Sequence, residues 1–167
     1  MSIVSNFLTA SDADIDDLLE EPVGIVAFLD PAVNQRCVCD GVMDLDQAWH
    51  GIHFLLCDDS WKGTPPLNFI ICGGTTIGNV DVGYGPARAY RSDEVAEIAQ
   101  AIEPITGGQL REKFDPRTFF ENDISPEIWD DPIEDCVDTY LLIYFARLKD
   151  FVLDARDDGK GMIVFAN

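Results

Sequence analysis

His50, His53 and Cys57 fall at positions i, i+3 and i+7 of one apolar stretch, and on a helix that spacing turns three metal-ligating side chains toward one side. Cys37 and Cys39 stand upstream as the donors that would complete a tetrahedral site. Two features argue against a metal. The Cys-x-Cys spacing is not the two-residue gap of zinc knuckles, and Cys57 lies in an apolar run where a thiol serves as a small core group. No metal and no cofactor is therefore assigned. Taken alone, His53 is the stronger candidate, because an imidazole changes charge near neutral pH and carboxylates abound in this chain. The competing reading is a satisfied, half-buried histidine beside Trp49, which is four residues away on the same face. Arg88 brings a planar fork of donors that would pair with Asp46 or bind an anionic group beside His53. Gly73-Gly74 permits close backbone approach. The expected ligand pocket is thus Asp46, Trp49, His53, Gly73, Gly74, Arg88 and Tyr90, with His53 as its candidate catalytic group.

Other chemistries leave no trace in the pattern. The glycines from 73 to 85 form neither a Gly-x-x-x-x-Gly-Lys-Ser/Thr loop nor a Gly-x-Gly-x-x-Gly turn between strand and helix, which argues against nucleotide binding. There is no Gly-x-Ser-x-Gly elbow, and Cys72 is flanked by apolar residues rather than by a base.

The elements that must hold these residues follow from periodicity. Trp49, Ile52 and Leu56 recur at helical spacing, predicting a core helix at about Asp46 to Cys57 with Asp44 or Asp46 as its cap. Before it, Ser2 to Leu8 reads as a short strand, and Ser11 with Asp14 as the capping box of a helix whose buried stripe is Ile15, Leu18 and Leu19, ended by Pro22. Pro31 to Val42 reads as a loop. After the helix come a rigid turn at Trp61 to Pro66, a brief buried segment at Leu67 to Cys72, an irregular surface loop from Thr75 to Gly85, and a strand at Ala87 to Tyr90. Ser92 is the expected cap of the next helix, which carries Val95, Ile98, Ala99 and Ile102. Two short helical turns follow at Gln109 to Phe114 and Pro116 to Glu121, then a loop anchored by Trp129. The longest helix is predicted from near Ile133 to about Asp157, with Val137, Leu141, Tyr144, Leu148, Phe151 and Ala155 on one stripe and Gly159 at its C-terminal cap. Met162 to Ala166 closes the chain as a strand.

Composition bounds the function. A chain of 167 residues is of single-domain size and buries about 70% of the surface its unfolded form exposes. Hydrophobic residues make up 47% of it, too many for disorder, so the net charge of −20 from 31 acidic and 11 basic residues decorates a folded surface. That field repels phosphate backbones, which argues against nucleic acid, and attracts basic proteins or cations. No apolar run reaches the roughly 20 residues a membrane helix needs, the N-terminus lacks a basic start, and the odd number of cysteines fits reduced thiols. The expectation is a cytoplasmic protein without membrane contact.

Leu45-Asp46, Trp49, His53 and Leu55-Leu56, followed by Pro66-Leu67, Gly73-Gly74, Tyr84-Gly85-Pro86-Ala87-Arg88 and Trp129, resemble the YfbM-like family of bacterial proteins, a family of unknown function. The resemblance runs over nearly the whole chain. It implies a short helix in Val23 to Leu29, a run too short for periodicity to assign, and it carries no role for the cysteines between Val33 and Gly41. The fold expected is a single α/β (α+β-like) domain over 1–167: a small mixed sheet including both terminal strands, surrounded by about five to six helices, its strand order open. Two functions are compatible with this reading. The first is a non-enzymatic acidic module that binds a basic protein, in the manner of an immunity protein. The second is a small hydrolase or ligand-binding protein with a pocket around Trp49 and His53. Oligomeric state is not readable from the sequence.

Overall fold

The structure, a computed structural model, describes residues 3–34 and 42–167; Cys37 and Cys39 lie outside the described residues. Its centre is a five-stranded sheet of β1 (Ser5–Ala10), β2 (Met43–Asp44), β3 (Thr75–Asp81), β4 (Pro86–Tyr90) and β5 (Gly161–Ala166). The strand order is β2-β1-β5-β4-β3. Both terminal strands are in the sheet as expected, but every pairing is antiparallel rather than mixed. The first and last strands run side by side from Ser5↔Ala166 to Ala10↔Gly161, so the chain ends where it began.

Seven α-helices occur among the described residues: α1 (Asp12–Glu20), α2 (Ile25–Leu29), α3 (Ala48–Cys57), α4 (Ser92–Ile102), α5 (Gly107–Lys113), α6 (Pro116–Glu121) and α7 (Leu142–Asp157). β5 explains their placement. Met162 and Val164 belong to a large core with α3, α4 and α7, whereas Ile163 and Phe165 belong to a smaller core with Ile15, Leu18 and Ile25. Period-two alternation thus sends an uninterrupted apolar run into two cores, one on each face of the sheet. The α1–α2 layer covers one face and the remaining helices the other.

Local chemistry sets the ends of these elements. Ser11 and Asp14 form the reciprocal capping box of α1, with Asp14 N–H donating to Ser11 Oγ at 3.1 Å and Ser11 N–H to Asp14 Oδ2 at 3.1 Å. Asp12 at the start of α1 reaches across to the start of α4: the backbone N–H and hydroxyl of Ser92 donate to its carboxylate at 2.8 and 2.6 Å. Those bonds, the hydroxyl first, hold the Asp12 carboxyl below its ordinary value. Gly159, at φ +63°, closes α7 in the left-handed conformation, and Lys160 N–H returns to Ala155 O at 2.8 Å.

Several expectations are corrected. β1 spans Ser5–Ala10 rather than Ser2 to Leu8, because its ladder is set by pairing with β5. The stretch expected as an irregular loop contains β3, whose register against β4 shifts between Thr76 and Asp81; Gly78 in this strand takes φ +54° and packs on Pro22, so the glycine that reads as a loop signal is a packing site inside a strand. α3 starts at Ala48 and its N-cap Gln47 makes no side-chain bond. Asp46 lies before it at φ +48°, and the Asp44 carboxylate accepts from the Asp46 N–H instead of capping the helix. At α4 the cap position falls to Arg91, whose N–H donates to Glu94 at 2.8 Å, since Ser92 is drawn to Asp12. The last long helix opens as a wide π-helical segment, Glu134–Leu141, before α7. On its stripe Tyr144 and Phe151 are only partly buried, while Phe145 and Val152 are fully inside.

Two glycines carry a clear packing prediction. A methyl at Gly161 would overlap the Tyr90 carbonyl oxygen and approach Ile15 Cδ1 to 2.6 Å. At Gly51 it would meet the Trp129 indole at 3.0 Å and Leu141 Cδ1 at 2.9 Å. Helix propensity would favour Gly51→Ala by about 1 kcal/mol, but overpacking costs about 1–3 kcal/mol. Gly161→Ala, facing rigid backbone, is expected to lower unfolding free energy in urea more than Gly51→Ala, and both to lower it.

Candidate functional site

α3 lays its aromatic side chains against the turn that follows it. The Trp49 and His50 rings stack with centroids 4.8 Å apart, and Trp61 closes over His50 at 4.7 Å. Trp49 Nε1 donates to the Ile3 carbonyl at 2.7 Å, tying the helix to the chain just before β1. Both nitrogens of His50 are used: Nε2 bonds the Ser60 carbonyl at 3.0 Å, and Nδ1 receives the Ser125 N–H at 3.1 Å. A nitrogen facing a carbonyl must donate and one facing an N–H must accept, so His50 is neutral with its proton on Nε2. Burial holds its pKa below the ordinary imidazole value.

His53 is fully buried, at 0% exposure. Its Nδ1 lies 3.9 Å from Cys57 Sγ, and its Nε2 has no hydrogen-bond partner among the described residues; the Lys62 backbone favours the charged form there without making a hydrogen bond. Burial first, and the adjacent His50 second, pull the His53 pKa down to about 4. A sealed imidazole that is neutral across the physiological range cannot meet a substrate, which removes His53 as a catalytic group. The thiols are no better placed: burial pushes Cys57 up to about 11 and raises Cys136, so both are protonated at neutral pH. Among the described residues no group of three or more His, Cys, Asp or Glu side chains is arranged to hold a metal ion.

Arg88 does not pair with Asp46. Its Nη1 donates to the Gly73 carbonyl at 3.0 Å and to the Tyr90 hydroxyl at 2.8 Å, and its Nη2 to the Phe69 and Ile70 carbonyls at 3.2 and 2.8 Å. These carbonyls belong to a 3-10 turn, Leu67–Ile70, and the chain leaving it, so a strand guanidinium satisfies carbonyls at the end of a turn that has no side-chain cap of its own. The Tyr90 hydroxyl lies 3.1 Å from the Phe69 carbonyl, and burial lifts its pKa to about 12. Gly73 and Gly74 do bring backbone close, but to Tyr90 rather than to a ligand: a Cβ on Gly74 would stand 2.9 Å from the Tyr90 ring. Asp46 stands apart and accepts from the Tyr140 hydroxyl at 3.3 Å. Of the seven expected site residues, Arg88, Tyr90, Gly73 and Gly74 thus form one structural knot, and His53 is sealed. Trp49 and Arg88 alone line an open cavity of about 210 Å³, together with Trp61, Tyr84, Ile70 and Val164.

A second cavity, of about 280 Å³, lies against α6, with Pro116, Phe119 and Phe120 in its lining. Ile124 and Trp129 contribute to its lining, Phe120 stands at its edge, and Asp123, Glu127 and Asp130 surround it. In the sequence Trp129 reads only as an anchor, and the signal for this cavity is the pair Phe119-Phe120, two adjacent aromatics on a short helix that cannot both face the core.

The antiparallel sheet, covered by helices on both faces, defines an α/β domain, and its particular layout is shared. The model of the family described as Domain of unknown function (DUF1877) matches residues 1–165, and the chain belongs to that family. The solved structure of a protein of unknown function, YfbM from Escherichia coli, is similar at a TM-score of 0.71 with 19% identity, over 96% of this chain and 98% of that one. At that identity the likeness is one of fold. No curated protein matches the chain.

Because the His53 pKa falls from 6.5 to about 4 on folding, the unfolded chain takes up a proton that the folded chain refuses. This contribution is complete above the unfolded value and is lost as pH falls from there toward 4. Melting temperature should therefore drop across that window. His53→Met, which removes an unpartnered buried nitrogen, should keep stability near neutral pH and make the acid limb shallower. Histidine NMR should detect no titration of His53 near pH 6.5; a normal titration would place its ring in water.

Proposed function

We propose that this protein is a non-enzymatic, acidic binding module that engages a basic protein partner, as an immunity protein engages its target. The observation that carries the reading is the state of its charges. Among the few bases, Arg91, Arg111, Lys113, Arg117 and Arg156 are each already paired with carboxylates of the same chain, and Lys149 and Arg88 are turned onto backbone carbonyls. With 31 acidic residues against 11 basic ones, the carboxylates far outnumber the bases that could neutralise them. Such a field speeds encounter with a basic surface and repels acidic ones, and its effect is screened by salt.

A second reading, a small-ligand site, is favoured by the cavity where Trp49, Trp61 and Tyr84 surround Arg88. It no longer includes hydrolysis, since His53 does not reach that space.

Association with a basic partner should slow by at least about ten-fold between low and physiological salt, measured by stopped-flow mixing. A rate indifferent to salt, or the recovery of no basic protein at low salt, would remove the acidic-module reading. For the small-ligand reading, aromatic carboxylates should shift the indole resonance of Trp61 in a proton–nitrogen NMR spectrum, and an unmoved resonance would end it.

A further inference from the structure

We propose that the cleft around Phe120 docks an arginine- or lysine-bearing segment of a protein partner; the inference rests on the acidic-module reading above and gives it a place on the molecule. Phe120 is 78% exposed, the most exposed large apolar side chain among the described residues, while its neighbour Phe119 is fully buried. Its ring stands between two depressions, of about 280 and 370 Å³, that share Pro116, Phe120 and Asp130. The floor of the first is apolar. Ile124 and Trp129 are 3% and 5% exposed and the indole N–H is spent on the Ile124 carbonyl at 2.7 Å, so these two residues offer hydrocarbon and ring rather than donors, and exposed Ser125 is the one neutral polar side chain of the lining.

The rim is anionic. Asp123, Glu127 and Asp130 are exposed and none is ion-paired among the described residues, and Arg117, the base beside the second depression, is held by Asp115 at 3.2 Å. An apolar floor under an unpaired acidic rim complements a side chain with a hydrocarbon stem and a cationic head, which is what arginine and lysine are. A guanidinium reaching the rim would also lie over the exposed face of Phe120. The competing occupants are opposed by charge. A second copy of the chain brings another net −20, and nucleic acids and anionic membranes are repelled in the same way. The arrangement has the anatomy of an interaction hot spot, an aromatic anchor at the centre and a charged border around it.

The test uses the whole chain, isotope-labelled, and a short blocked peptide alternating arginine and leucine, with a glutamate–leucine peptide as control. Expected are amide shifts concentrated between Pro116 and Asp130, absent with the control. Phe120→Ala should weaken binding at least about ten-fold. The triple variant Asp123→Asn, Glu127→Gln, Asp130→Asn should weaken it comparably and flatten its salt dependence. All four positions are exposed, and unchanged resonances elsewhere would verify that each variant is folded. Shifts that map to another acidic face, such as α1, or affinity untouched by Phe120→Ala, would overturn the cleft while leaving the acidic-module reading intact. No binding anywhere at low salt would overturn both.

Discussion

β5 has water on neither side, and most of the architecture answers to that constraint. A strand flanked on both edges and covered on both faces must be apolar at every position, and Met162-Ile163-Val164-Phe165 is. One face then requires a layer built from α1 and α2, the other a layer built from α3, α4 and α7. Gly161 opens the strand because the carbonyl of Tyr90 and the side chain of Ile15 leave no room for a methyl. The same strand pairs with β1 from the beginning of the chain and with β4 from its middle, so three distant parts of the sequence meet on it. Contacts of such separation cost loop-closure entropy before they are rewarded, and the reward is a strand that closes both cores at once.

β4 performs the second task of joining sheet to helices, and it does so with polar groups. Arg88 and Tyr90 lie on one face of the strand, two residues apart, and together they donate to the carbonyls of Phe69, Ile70 and Gly73. A buried carbonyl without a donor costs about 1–3 kcal/mol, so a turn with several of them needs a fork of donors opposite. This is why the only long basic side chain of that strand is turned inward in a protein so rich in acids. The carboxylates would be better electrostatic partners in the abstract, but an exposed ion pair contributes only about 0–1 kcal/mol, less than leaving several buried carbonyls bare.

How far the sequence could be read follows from the same physics. Elements with strong periodic signals were legible: the capping box at Ser11, the helix carrying Val95 and Ile98, the long helix ending at Gly159, and both terminal strands. β3 was not, because glycine marks loops in general and only the contact of Gly78 with Pro22 turns it into a strand position. The cap at Arg91 was not, because the serine beside it is taken by Asp12, some eighty residues earlier in the chain; a tertiary bond overrode a local preference. For the candidate site, the expected residues do not form one pocket, since Asp46 stands apart and His53 is buried. Trp49, Arg88, Gly73, Gly74 and Tyr90 do gather near one another, yet burial, which decides whether a histidine or arginine serves chemistry or structure, is a property of the assembled fold.

Burial also indicates where to look for function in a domain of this kind. Each of His50, Arg88, Tyr90 and Trp49 makes hydrogen bonds inside the chain that the fold would lose with it. Phe120 is not explained that way. Leaving a phenylalanine in water forgoes about 1.5–3 kcal/mol of burial, and Phe119 one position earlier already supplies the aromatic contact with Phe114 and Trp129. The carboxylates of Asp123, Glu127 and Asp130 line the same cavity as Phe120. On the docking proposal, a basic partner would account both for the exposed ring and for the acidic residues that share its cavity.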